Sequence, residues 1–230
     1  MTPADGESNA SKDAPSPRAE GGPPVRLGIL LSGRGSNFKA IAQSIRSGQL
    51  KGVEIAVVIS NVAEAFGIFE AQQLGLPHAV LVSKGRARAE HDADVLACLR
   101  EHRVDLVCLA GYMRLLSPEF IAAFPNRILN IHPSLLPAFP GLDAQQQAFD
   151  YGVKWAGCTV HFVDERLDHG TIVLQRAIPV LDDDDAHTLA ERILVEEHVA
   201  YSEAIARVTS GEWEIHGRWY VRIFAGDVSH

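Results

Sequence analysis

Asn130 and His132 stand two residues apart at the end of an apolar stretch, and Pro133 and Pro137 force an extended exit from it. If Arg127 to Ile131 is a buried strand, side chains alternate along it, so the amide and the imidazole share one side at its carboxyl end. In open α/β sheets, ligands gather at that end. An amide and an imidazole aimed at one point can stabilise a developing oxyanion, and the imidazole can also move a proton. A second stretch, Asp164-Glu165-Arg166-Leu167-Asp168-His169-Gly170, offers a carboxylate to pair with a protonated His132. These residue types also have plainer uses: a single His near a strand is often a satisfied structural residue, and an Asp before His-Gly is often a turn former. Asn130 on the same side, the strand-end position and the acidic loop ahead favour chemistry.

Ser32-Gly33-Arg34-Gly35-Ser36-Asn37 joins an apolar run to a helical pattern. Glycines let a backbone approach a ligand closely, and free N–H groups at a helix start favour an anion. The spacing is neither Gly-x-x-x-x-Gly-Lys nor a full Gly-x-Gly-x-x-Gly, so a single small phosphate fits better than ATP or a dinucleotide. A tight turn with Ser36 or Asn37 as helix cap explains the loop equally well. Gly111-Tyr112-Met113-Arg114-Leu115-Leu116 is an apolar loop with one arginine, suited to a flat aromatic ligand with a carboxylate tail, although packing accounts for Met113, Leu115 and Leu116 as readily. His161 is expected to pack or to bond to backbone. The sequence has no His-x-x-x-His or clustered Cys/His spacing for a metal and no Gly-x-Ser-x-Gly elbow for a nucleophile. Ser134 has no obvious activating base.

The elements that must hold these residues form an α/β pattern. Val25–Leu31, 53–59, 78–82, 105–110 and 127–131 read as strands, separated by helical patterns at 38–45, 67–74, 90–102 and a short helix begun by Ser117-Pro118-Glu119. Strands alternating with helices of this length predict a doubly wound, mostly parallel sheet with helices on both faces. Beyond Pro140 the pattern changes: 158–163 and 171–180 read as consecutive strands, a mixed extension of the same sheet. Asp182 to Asp185 precede a long helix over about 186–208 and read as caps and dipole partners. Residues 212–223 read as a closing hairpin around Gly217. Residues 1–24, rich in Pro, Gly, Ala, Ser and Asp, are expected to be a disordered tail, leaving a single domain over 25–230.

At 230 residues, with 47% hydrophobic and 22% charged residues, the chain has ample material for one core. A formal net charge of -8 argues against general binding to nucleic acid or anionic membranes. Cys98, Cys108 and Cys158 are odd in number and scattered, as buried reduced thiols are. No apolar run approaches membrane-spanning length and the first 24 residues lack a signal-peptide pattern, so a cytoplasmic protein is expected.

Taken together, 32–37, the run Leu109-Ala-Gly-Tyr-Met-Arg-Leu-Leu-Ser117, Leu129-Asn-Ile-His-Pro-Ser-Leu-Leu-Pro137, His161-Phe-Val-Asp-Glu-Arg-Leu-Asp168 and Glu197-His198 resemble the folate-dependent glycinamide ribonucleotide formyltransferases. The likeness runs from about Leu27 to Gly211. It implies a Rossmann-like formyltransferase fold and transfer of a formyl group from 10-formyltetrahydrofolate, as donor co-substrate, to the amine of 5-phosphoribosylglycinamide in purine synthesis, with no metal. By the same resemblance Gly35, Ser36, Asn37 and Glu197 would bind the ribonucleotide. Arg88, Met113, Arg114, Leu115, Leu116 and Asn130 would meet the folate. Asn130 and His132 would bind the formyl oxygen, with Asp168 supporting His132. Small molecules would be its partners, and a monomer or weak homodimer its state.

Two stretches depart from the family pattern. His169 stands where a second glycine is usual, and would crowd the pterin loop or point to solvent; Gln145 and Gln146 stand where histidines are frequent. A methionyl-tRNA formyltransferase would need a further carboxyl-terminal domain and a basic surface, and a formyltetrahydrofolate hydrolase an extra domain before the catalytic one. A sugar-nucleotide formyltransferase is the third rival within formyl transfer. A non-catalytic nucleotide- or folate-binding module need not keep Asn130, His132 and Asp168 together. A nicotinamide dehydrogenase is disfavoured by the incomplete glycine fingerprint.

Overall fold

A computed structural model describes residues 22–223. Apart from residues 22–24, the expected tail lies outside them, as do residues 224–230 of the expected domain. In chain order the elements are β1 (Val25–Leu31), α1 (Ser36–Arg46), β2 (Val53–Ser60), α2 (Phe66–Gln73), β3 (His78–Val80), α3 (Arg88–Glu101), β4 (Leu106–Leu109), α4 (Pro118–Ala123) and β5 (Ile128–His132). There follow α5 (Ala144–Tyr151), β6 (Trp155–Phe162), β7 (Ile172–Pro179), α6 (Ala186–Ser210), β8 (Trp213–His216) and β9 (Trp219–Arg222).

Seven strands form one sheet in the order β3-β2-β1-β4-β5-β6-β7. The pairs among β1 to β5 are parallel, while β6 runs antiparallel to β5 and β7 antiparallel to β6. The expected mixed extension is therefore the carboxyl-terminal edge of the sheet. Two apolar layers sandwich it. One gathers Leu27, Ile29, Leu31, Phe38, Ile41 and the buried face of α6; the other gathers Leu30, Val57, Leu99, Val107 and Phe120. Each buried Leu, Ile or Phe contributes about 1.5–3 kcal/mol, which is why an unbroken apolar run such as Gly28–Leu31 must be a central strand.

Ser117 caps α4 by accepting from the Phe120 N–H at 3.2 Å, with Pro118 at the first helical position, as expected. Asp185 caps α6 in a reciprocal box with Thr188, so at least that member of the acidic run is structural. Helix α5 is not foreseen by the sequence reading. It carries three consecutive glutamines and buries only Ala144 and Ala148, so it has little apolar periodicity to announce it.

Candidate active site

The strand order reverses between β1 and β4, and the loops leaving the carboxyl ends of the parallel strands converge above that point. Ser32 ties two of these loops together. Its Oγ accepts from the Met113 N–H at 2.8 Å and donates to Asn61 Oδ1 at 2.6 Å, and Asn61 donates onward to Ser83 Oγ at 3.1 Å. Neither Ser32 nor Asn61 is singled out by the sequence.

Gly35 is the residue before α1, with φ 72°, a left-handed conformation that costs a side-chain-bearing residue dearly. A Cβ there would also lie 2.8 Å from the Gly67 Cα at the start of α2. No side chain caps α1 and no acid stands in its first turn, so the alternative of Ser36 or Asn37 as cap is not what the structure adopts. The first-turn N–H groups therefore have no side-chain cap, the condition under which a helix start can take an anion. Asn37 instead turns inward: its Nδ2 donates to Glu197 Oε2 at 2.7 Å, while its Oδ1 is buried with no partner among the described residues. Burial pushes the Glu197 carboxyl above the ordinary carboxylate range, opposed by the Asn37 bond and by nearby His132.

Strand β5 ends in the chemical group. Both His132 and the Asp168 carboxylate are nearly enclosed, and His132 Nδ1 lies 3.5 Å from Asp168 Oδ2. His132 Nε2 donates to the Phe139 carbonyl at 2.9 Å, while Nδ1 faces Asp168. At 3.5 Å from the Asp168 carboxylate, Nδ1 is the ring nitrogen left open to a ligand. Asp168 has φ 49°, and its Oδ2 accepts from the Gly141 N–H at 2.8 Å.

Antiparallel pairing sets His161 of β6 opposite Asn130 and Thr159 opposite His132. His161 does bond to backbone, its Nδ1 donating to the Phe162 carbonyl at 2.7 Å. Its Nε2 is then a lone pair, 3.3 Å from Asn130 Nδ2 and 3.8 Å from Asp168 Oδ1. Burial, first among the causes, lowers the His161 pKa and favours this neutral form. The lone pair orients the Asn130 amide and leaves it a second N–H for a ligand. Reading His161 as packing or bonding to backbone misses its contact with Asn130, because nothing in the sequence reports the β5/β6 register.

The apolar loop after β4 divides. Met113 and Leu115 are 70% and 52% exposed, whereas Leu116 is 8% exposed and packs with Phe120 and Leu96, so Leu116 belongs to the core rather than to an open ligand wall. Arg114 reaches the Arg86 carbonyl at 3.4 Å, which sets it beside the start of α3, where Arg88 is exposed. The Arg114 Nε is buried without a partner among the described residues, a donor suited to an anionic group of a ligand. Of the two outcomes expected for His169 the structure shows the outward one: its side chain is 41% exposed, with Nδ1 2.9 Å from Asp164 Oδ2. Gln146 bonds to Asp150 and Gln147 to the Leu142 carbonyl, within and beside α5. Among the described residues no group of three or more His, Cys, Asp or Glu could hold a metal.

Comparison with known proteins agrees with this arrangement. The sequence pattern described as formyl transferase matches residues 25–205. A trifunctional purine biosynthetic protein of Drosophila melanogaster is 45% identical over 188 residues, covering 81% of this chain but 14% of its own length. The chain thus spans about a seventh of that relative. Phosphoribosylglycinamide formyltransferase of Escherichia coli is 38% identical over 193 residues, covering 84% of this chain and 91% of the relative. A solved glycinamide ribonucleotide transformylase from Symbiobacterium toebii superposes with a TM-score of 0.84 at 48% identity, over 87% of this chain and 95% of that one. On sequence and on fold alike, the chain belongs to the formyl transferase family.

Proposed function

We propose that this chain transfers the formyl group of 10-formyltetrahydrofolate to the amine of 5-phosphoribosylglycinamide, a step of purine synthesis. The observation that carries the reading is the convergence of Asn130, His132 and Asp168 at the end of β5, within a family fold whose relatives bear that activity by name. The ribonucleotide phosphate would take the uncapped start of α1 at Gly35, Ser36 and Asn37, with Glu197 and the unpartnered Asn37 Oδ1 meeting the rest of it. The folate would lie along Met113, Arg114 and Leu115, with Arg88 near its acidic tail and Leu116 supporting the loop from beneath. It fits as a substrate, since the Arg114 Nε offers a buried donor with no other partner described.

The chemistry follows from what these groups can do. As the amine adds to the formyl carbon, negative charge collects on the formyl oxygen. The free Asn130 N–H and His132 Nδ1–H are donors for that oxygen, in a site mostly closed to water. Asp168 balances the charge of the ring and can take a proton from the amine, directly or through water; as the tetrahedral intermediate collapses, the bond from the formyl carbon to the folate nitrogen breaks and that proton passes to the departing nitrogen. Holding amine and formyl together makes the attack effectively unimolecular, and no covalent enzyme intermediate is needed. We read the chain as one cytoplasmic catalytic domain from residue 25, a monomer or weak dimer with small-molecule partners; no described helix is long and apolar enough to cross a membrane.

Following folate absorbance with and without phosphoribosylglycinamide tests the reading. Acceptor-dependent deformylation is expected. Loss of formyl regardless of acceptor would instead mark a hydrolase, and binding without turnover a non-catalytic module.

A further inference from the structure

The loop carrying Asp168 is held from two sides, and one hold comes from the carboxyl-terminal hairpin. Gly170 closes the loop: a Cβ there would lie 1.8 Å from the Phe162 carbonyl oxygen, so only glycine allows the backbone to pack this closely against β6. On the inner side the Asp164 carboxylate bridges the loop, taking the Arg166 N–H at 2.9 Å through one oxygen and the His169 ring at 2.9 Å through the other. From outside, Arg218 at the β8–β9 turn donates from Nη2 to the His169 carbonyl at 2.6 Å. Its Nη1 is 3.3 Å from both ring nitrogens of His169, a position over the ring rather than along either nitrogen's axis.

The hairpin is anchored at its base. Tyr220 meets Phe162 of β6 edge-on at 5.4 Å, Trp213 stacks on Tyr220 at 5.6 Å, and Arg207 of α6 lies over Trp213 at 4.9 Å. It falls beyond residue 205, where the family match ends. Asp168, in its left-handed conformation, directly precedes the residue both holds grip. Freed from them, the chain would relax toward commoner backbone angles and carry the carboxylate away from His132.

We propose that Arg218 is a positioning residue: through His169 it holds the β6–β7 loop so that Asp168 stays beside His132. The role rests on the formyl-transfer reading, but the loop's seat can be read without activity, because the Gly141 amide donates to Asp168. In the full chain, Arg218→Ala is expected to lower kcat about tenfold with the KM for phosphoribosylglycinamide unchanged, and to speed Gly141 amide exchange by a similar factor. Arg218→Lys keeps a donor for the His169 carbonyl and is expected to restore most of both. Parental kcat in Arg218→Ala, or slowed turnover with Gly141 still protected, overturns the proposal. If Arg218→Ala does not fold, Arg218→Met, which keeps the apolar stem and removes both donors to His169, decides through the same amide: faster exchange upholds the role and unchanged exchange ends it. A parent chain that never deformylates folate would sink the proposed function while leaving the Gly141 measurement decisive.

Discussion

The two parts of the sheet do different work with different backbones. Strands β1 and β4 are buried almost throughout, while β7 buries only Val173 and otherwise alternates half-buried and exposed positions along the edge. Each parallel strand hands over to a helix, so its carboxyl end presents backbone N–H groups and loops, as at Gly35 and Met113. The antiparallel pair β6–β7 hands over to a tight loop and returns, so it presents side chains: His161 across from Asn130, and Asp168 beside His132. On the proposed function, the parallel part grips an anion and a flat ring, and the antiparallel part places acids and bases within ångströms of each other. Strand β5 belongs to both, which is why the reacting groups sit on it.

The sharpest way to break this division is His132→Ala. The imidazole is the one group here that can both donate to an oxyanion and carry a proton, so kcat is expected to fall about 10²–10⁴-fold. The fold and ribonucleotide binding are expected to survive, at a cost of about 1–3 kcal/mol in stability for the Phe139 carbonyl and the nearly enclosed Asp168 carboxylate that lose this partner. Steady-state kinetics with an unfolding curve of the variant check both halves of the statement; near-parental kcat would remove His132 from the chemistry.

Gly35→Ala probes the opposite side. The left-handed φ of 72° and a new Cβ 2.8 Å from the Gly67 backbone cannot be relieved by a side-chain rotation. The expected cost is about 1–3 kcal/mol for the backbone strain alone, and the KM for phosphoribosylglycinamide is expected to rise as the start of α1 shifts. Urea unfolding and kinetics at varied ribonucleotide measure the two effects. A fully stable Gly35→Ala with an unchanged KM would show that the loop is not a backbone-built anion site.

The same contrast explains what the sequence discloses. Strands β1, β2 and β4 are legible because a buried parallel strand must be apolar nearly everywhere, and Ser117-Pro118 is legible because a helix start has its own chemistry. Asn130 and His132 can be paired from strand alternation alone. What the sequence withholds is register and return. Nothing local says that His161 faces Asn130, that Leu116 turns into the core while Met113 turns out, or that Arg218 reaches back 49 residues to His169. Helix α5 is silent for another reason, since two alanines bury too little to impose a period.

A smaller effect is expected at Glu197, where α6 reaches into the parallel part. Glu197→Gln keeps an acceptor for Asn37 but removes the charge, so the KM for phosphoribosylglycinamide is expected to rise about tenfold, the worth of one hydrogen bond to a charged group, with the folate KM unchanged. Stability should move the other way. Because the folded carboxyl titrates above its unfolded value, its contribution is complete below the unfolded pKa and is lost as pH rises through the folded one. Glu197→Gln abolishes that loss, so relative to the parent it gains stability at neutral pH compared with acid. Unfolding curves at several pH values test the sign; a variant whose advantage grows toward acid would contradict the raised pKa.

The gentlest test bears on the joint between the parts. Tyr201, fully buried one turn after Glu197 on α6, donates its hydroxyl to the carbonyls of Leu109 and Leu129 at 3.0 Å each. Those carbonyls end β4 and precede Asn130 on β5, so one proton serves the strand that carries a ligand loop and the strand that carries the chemistry. Tyr201→Phe keeps the ring and removes this link, leaving two buried carbonyls short of a donor. The expected loss is about 1–2 kcal/mol in chemical unfolding, with both KM values unchanged because neither binding loop is touched. A loss below about 0.5 kcal/mol would mean that packing of α6 alone aligns β4 with β5, and that the two parts of the sheet are held in step by apolar contact rather than by this hydroxyl.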